Sequence, residues 1–275
     1  MIGKKEISET LDLSCIESYF LAWLNRNYDV TKLYSDSFIS LRQAFDDFSR
    51  GATYQNYCFL PRIQDVAEEY GIVTHNYIKC NAKDAKKIIK EQSEKDLYLI
   101  RVNTSFFTDY KRASWREDHY VCVDKNLAWI NQYPLSEGVF TEERFNEVYD
   151  GAVCIYKLRD LSIVPPDNIT EQYTAQKFTE EELPGTLSAL ESAIGVLRVS
   201  RKRIAKYYSS KKTVKELLDK ETACMDRMYF DIHLRKLKEL KKEEIDLAEA
   251  YKEFYAGSKY IVETEKKIAE VLKNG

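Results

Sequence analysis

The spacing of apolar positions changes partway along the chain. Up to about residue 169 they fall in short runs. Beyond that they recur every three or four residues over long stretches. Near the start, Ile16, Tyr19, Phe20, Trp23 and Leu24 keep the i, i+3, i+4, i+7, i+8 pattern of a helix with one buried face. Asp12 and Ser14 both suit an N-cap, and either places Cys15 in the first turn. Further helices are expected at 41–48, at 61–70 with Gly71 as its stop, at 81–93 behind Asn81, and at 140–148. Strands are expected at 54–60, 72–78, 97–102 and 152–158. Residues 103–116 are polar and aromatic without period, which predicts a loop.

The segment 114–134 reads as a β-hairpin. His119-Tyr120-Val121-Cys122-Val123 is β-rich, Asp124-Lys125-Asn126 is a tight turn, and Leu127-Ala128-Trp129-Ile130 is β-rich again. His119 opens the first strand and Asn131 ends the second, so the two lie near each other at the open end. After Pro165-Pro166 the strand signals stop. Three long helices are expected at 178–208, 213–240 and 243–273, with Ile232, Leu234, Leu237 and Leu240 on one apolar face. The fold class is therefore α+β. A mixed N-terminal domain occupies 1–169, and a helical C-terminal region occupies 170–275.

Composition narrows the function. The 275 residues carry a net charge of -3, so no basic excess points to nucleic acid. No apolar run approaches a membrane span, and the first fifteen residues lack a signal-peptide core. The expectation is a cytoplasmic protein with reduced thiols. Six cysteines without a C-x-x-C pair, and three histidines, argue against a metal centre. No Gly-rich phosphate cradle calls for a nucleotide. Cys58, Cys224 and the remaining cysteines other than Cys15 suit core positions. His75 and His233 suit the surface. The basic run Arg198, Arg201, Lys202 and Arg203 reads as a solvated helix face, with a carrier-protein dock as the sharper alternative.

Cys15, His119 and Asn131 form the candidate catalytic set. A helix N-terminus offers free N–H groups and partial positive charge, which favour a thiolate. An imidazole can deprotonate the thiol, and an Asn can orient the imidazole. Asp118, Asp124 and Gln132 are rivals for the orienting role.

This order of Cys, His and Asn, with the form H-Y-V-x-V-D followed by a strand and a polar residue before a proline, resembles the papain-like superfamily over residues 10–160. Within it the chain looks like the bacteriocin-leader peptidases. It also looks like the acyltransferases of the butirosin-biosynthesis type and the papain-fold amide ligases of the closthioamide-assembly type. A short papain-like half followed by a helical half is closer to the acyltransferases. The resemblance implies antibiotic-type, nonribosomal peptide chemistry. An acyl or peptidyl group on a carrier-protein thioester passes to the Cys15 thiol and then to a small amine. The cofactor need is none, because the phosphopantetheine arm belongs to the carrier protein. A cysteine peptidase or thioesterase using water, and a non-catalytic interaction protein, are the alternatives. Two residues depart from the family pattern. Glu9 stands where such peptidases place an oxyanion-binding Gln, and Asn131 stands where the leader peptidases have Asp.

Overall fold

The computed structural model describes residues 2–52, 62–103, 105–106, 119–175 and 186–274. The strand expected at 54–60 with Cys58, Asp118, and most of the loop at 103–116 lie outside them. The described residues form a mixed α+β protein in two compact units. The first comprises residues 2–30 and the described part of 62–164. The second comprises 31–52 and the described part of 165–274. The linear sequence reading assigned 31–52 to the N-terminal domain, but this segment shares its contacts with the C-terminal helices.

The first unit is built on a six-stranded antiparallel sheet of order β1-β6-β2-β3-β4-β5. Its strands are β1 (Val73–Lys79), β2 (Leu97–Val102), β3 (His119–Val123), β4 (Ala128–Asn131), β5 (Ser136–Val139) and β6 (Tyr149–Leu158). Its helices are α1 (Lys4–Ser8), α2 (Cys15–Leu24), α4 (Ile63–Glu69), α5 (Ala82–Lys90) and α6 (Glu142–Val148); α3 lies in the second unit. Strand alternation gives the sheet two apolar faces. Tyr98, Ile100, Val121, Val123, Val153 and Ile155 pack with Ala85 and Ile89 of α5 and Phe145 of α6. Leu97, Leu99, Cys122, Cys154 and Tyr156 alternate to the other face, where Phe20 of α2 meets the Tyr156 ring edge-on at 5.2 Å.

The β3–β4 turn is held by the Asp124 carboxyl, which accepts from the N–H groups of Asn126 at 2.9 Å and Ala128 at 3.1 Å. Leu127 belongs to this turn and not to the strand. Its φ is 59°, a left-handed conformation costly for a branched side chain, and its burial in the α5 face offsets that cost. The sequence pattern also missed β5, whose four half-buried or exposed residues carry no hydrophobic alternation. Gly138 there lets Trp129 cross close by, since a Cβ would sit 2.7 Å from its ring.

The second unit contains α3 (Leu41–Ser49), α7 (Ile169–Ala175), α8 (Leu187–Tyr207), α9 (Lys212–Leu240) and α10 (Leu247–Asn274). Ile204, Tyr208, Val214, Leu218, Ile268 and Leu272 close one core with Ile169 and Tyr173 of α7. Ser200 of α8 donates to the Ser37 carbonyl at 2.6 Å, and Phe45 of α3 meets Phe254 of α10 at 5.7 Å. Ile232 is buried on α9, but Leu234, Leu237 and Leu240 of the expected apolar face are exposed.

Candidate active site

The site elements meet at the end of the sheet where β3 begins and β4 stops. Ser14 is the N-cap of α2, its hydroxyl accepting from the Glu17 N–H at 3.2 Å. Glu17 answers by accepting from the Leu13 N–H at 2.6 Å and, from another element, the Ile63 N–H at 3.1 Å. These reciprocal bonds fix the first turn of α2, and with it the position of Cys15.

The register pairs Cys122 with Ile130, and continued by one rung it pairs Val121 with Asn131. Asn131 is then the diagonal neighbour of His119 on one face. The two side chains hydrogen-bond, His119 Nε2 to Asn131 Oδ1 at 2.7 Å, and both are buried. The Asn131 amide donates to the Pro134 carbonyl at 2.9 Å, which identifies its nitrogen and leaves Oδ1 as the acceptor toward the imidazole. His119 Nε2 must therefore carry the proton, and Nδ1 is the basic nitrogen.

Cys15 lies on the face of the sheet that α2 covers. The peptide N–H groups of Tyr120, Ile16 and Cys15 itself lie toward its sulfur. These donors favour a thiolate. Dehydration of the sulfur outweighs them, although the residue keeps some exposure, and the Asp12 carboxylate adds to the opposing effect. The Cys15 thiol is consequently pushed above its usual range, which corrects the expectation that the helix N-terminus would lower it. Burial pushes the His119 imidazole down, against the Asn131 hydrogen bond that raises it. The resting pair is a neutral thiol and a neutral imidazole. By strict alternation His119 starts on the α5 face and Cys15 on the α2 face, so the route between them runs around the end of the ladder.

The rivals for the orienting role are engaged elsewhere. Asp124 holds its turn, and Gln132 donates from Nε2 to Asp12 Oδ2 at 2.7 Å. Glu9 is exposed and lies 3.9 Å from Lys5. Cys122 and Cys154 are buried thiols pushed up by burial to about 12 and about 11. Cys80 contacts the Tyr149 hydroxyl at 3.3 Å, and Cys224 is buried. His75 stacks on Tyr156 at 4.6 Å, and His233 bonds Glu191 at 2.6 Å. Arg201 and Arg203 are fully buried, so the four-residue basic run is not a surface patch. Among the described residues, no cluster of His, Cys, Asp and Glu could hold a metal ion, and no helix is long and apolar enough to cross a membrane.

Sequence reasoning missed the Asp12–Gln132 pair, which links positions 120 residues apart. Its only local signal was a polar residue directly after Asn131. No protein-family model matches the chain, and comparison with curated proteins gives no significant match.

Proposed function

We propose that this chain is a cysteine-dependent acyltransferase of papain-like type. It takes an acyl or peptidyl group from a carrier-protein thioester onto Cys15 and passes it to a small amine. One observation carries the catalytic part: the Pro134–Asn131–His119 hydrogen-bond chain, which fixes the imidazole tautomer in the same unit that places Cys15 at a helix N-terminus. The carrier thioester and the amine come from the family resemblance.

The chemistry runs in two displacements. As the Cys15 sulfur attacks the thioester carbon, its proton moves to His119 Nδ1 and the carbonyl π pair moves to oxygen. Collapse restores the carbonyl and expels the carrier thiolate, which takes the proton from the imidazolium. The amine then attacks the acyl-enzyme, loses a proton to Nδ1, and the Cys15 sulfur leaves and regains it. A neutral resting pair suits this cycle, because the imidazole is already a base and the thiol surrenders its proton only during attack.

The test is intact-mass measurement of the full chain mixed with an acyl-loaded carrier protein and quenched without amine. The expected result is a mass gain equal to the acyl group on the peptide containing Cys15, discharged as an amide when amine is added. Discharge as free acid would instead make the protein a thioesterase. Turnover by Cys15→Ala would sink the covalent route altogether.

A further inference from the structure

Acyl transfer needs a donor for the oxygen that becomes negative as sulfur adds to the carbonyl. The position where the family places a side-chain amide holds Glu9, which is exposed and faces Lys5. A glutamine from elsewhere in the chain is nevertheless held by two residues that flank the nucleophile, Asp12 and Tyr19.

Gln132 directly follows β4, at the end of the ladder where Tyr120 of β3 turns its N–H toward the Cys15 sulfur. Gln132 is tied there twice. Its backbone N–H donates to the Tyr19 hydroxyl at 2.8 Å, one helical turn beyond Cys15. Its side-chain Nε2 donates to Asp12 Oδ2 at 2.7 Å, three residues before Cys15. Thr10 holds the other oxygen of Asp12 at 2.8 Å. An acceptor-only carboxylate identifies which end of the amide is nitrogen. Gln132 therefore presents a donor whose orientation is fixed, and no acceptor among the described residues takes its second N–H. A carboxylate so near the thiol opposes thiolate formation, which is a cost. Holding this amide in place is what Asp12 gains in return.

Resting on the acyltransfer reading, we propose that the Gln132 side-chain amide is the oxyanion donor of the Cys15 site, with Asp12 as the residue that positions it. When the Cys15 S–C bond forms and the carbonyl pair moves onto oxygen, the second N–H of Gln132 donates to that oxygen. When the thiolate leaves and the carbonyl reforms, the donation weakens. No proton is transferred by Gln132.

The test compares two reactions of Cys15 in the full chain. Acylation by a short-chain acyl thioester of N-acetylcysteamine passes through a tetrahedral oxyanion. Alkylation by iodoacetamide needs the same thiolate but forms no oxyanion. In Gln132→Met and Gln132→Leu, acylation should fall by about 100- to 1,000-fold, while alkylation at pH 9 stays within about twofold of wild type. Asp12→Asn should slow acylation less than either, and should speed alkylation, because a negative charge is removed beside the sulfur. If acylation and alkylation fall together, Gln132 is only a structural clamp and the proposal fails. Unchanged acylation in both variants fails it as well. A wild-type chain that is alkylated on Cys15 but never acylated overturns the acyltransferase reading itself, and this proposal with it. Equal thermal midpoints of variants and wild type would establish that the folded protein was compared.

Discussion

Each compact unit buries a polar cluster, and the two clusters are finished differently. In the helical unit Arg201 is fully buried, and four of its five N–H groups are used. Nε bonds Glu265 at 2.7 Å, Nη1 bonds Ser200 at 3.0 Å, and Nη2 bonds the Ile39 carbonyl at 2.8 Å as well as Glu265. The rings of Phe38 and Tyr173 lie 5.0 and 5.6 Å from the guanidinium. In the sheet unit, the His119 ring bonds Asn131 through Nε2, and Nδ1 is the nitrogen that the proposed mechanism uses as base. The Arg201 cluster uses its hydrogen bonds in holding segments 31–52 and 187–274 together. The His119 cluster fixes the tautomer of an imidazole. Burial of polar groups marks both, so burial by itself does not distinguish a structural cluster from a reactive one.

The sharpest break of this contrast is functional. His119→Ala should cut acyl transfer by about 100- to 10,000-fold, as loss of a general base does, and cost about 1–3 kcal/mol of stability because the buried Asn131 Oδ1 goes unpaired. A large fall in stability with modest loss of turnover would make His119 a core residue. Next in size is Arg201→Ala, which leaves Glu265 buried without its cation and should cost about 3–5 kcal/mol of stability. Urea unfolding checks it, and a loss below about 1 kcal/mol would show that the helical unit does not depend on the cluster.

Asn131→Ala leaves the buried Nε2 proton of His119 without its acceptor. It should cost about 1–3 kcal/mol and lower turnover while acyl-enzyme remains detectable. Full turnover in this variant would remove Asn131 from the orienting role.

The smallest effect concerns Glu221, whose carboxyl is fully buried 3.3 Å from Arg201 Nε and makes no hydrogen bond there. Burial first, and then the charge of Glu265, push it well above the carboxylate range against the pull of Arg201. The folded protein keeps a proton there that the unfolded chain releases, so this group lowers stability as pH rises above the ordinary carboxylate range toward its folded value. Glu221→Gln should remove that slope. The gap in unfolding midpoint between variant and wild type should widen from pH 5 to pH 8, and a constant gap would mean that Glu221 is ionised in the folded state.

Local pattern carried much of this in the sequence. The 3.6-residue period placed α8, α9 and α10 to within a few residues wherever the chain is described, because helix formation depends on spacing along one segment. The β-rich runs around the Asp124 turn placed β3 and β4, and with them His119 and Asn131 at one open end. Tertiary structure decided what those patterns left open. Arg201 and Arg203 read as solvated charge and are buried, while Leu234, Leu237 and Leu240 read as core and are exposed. Period names a face of a helix, but only the neighbouring elements determine whether that face is covered. The Cys15 thiol followed the same rule. Its place at a helix start was visible locally, and the dehydration that raises its pKa comes from burial in the folded chain. The choice between Asn131 and Gln132 rested on the strand register, since adjacent residues face opposite sides and only the paired strand shows which side holds His119.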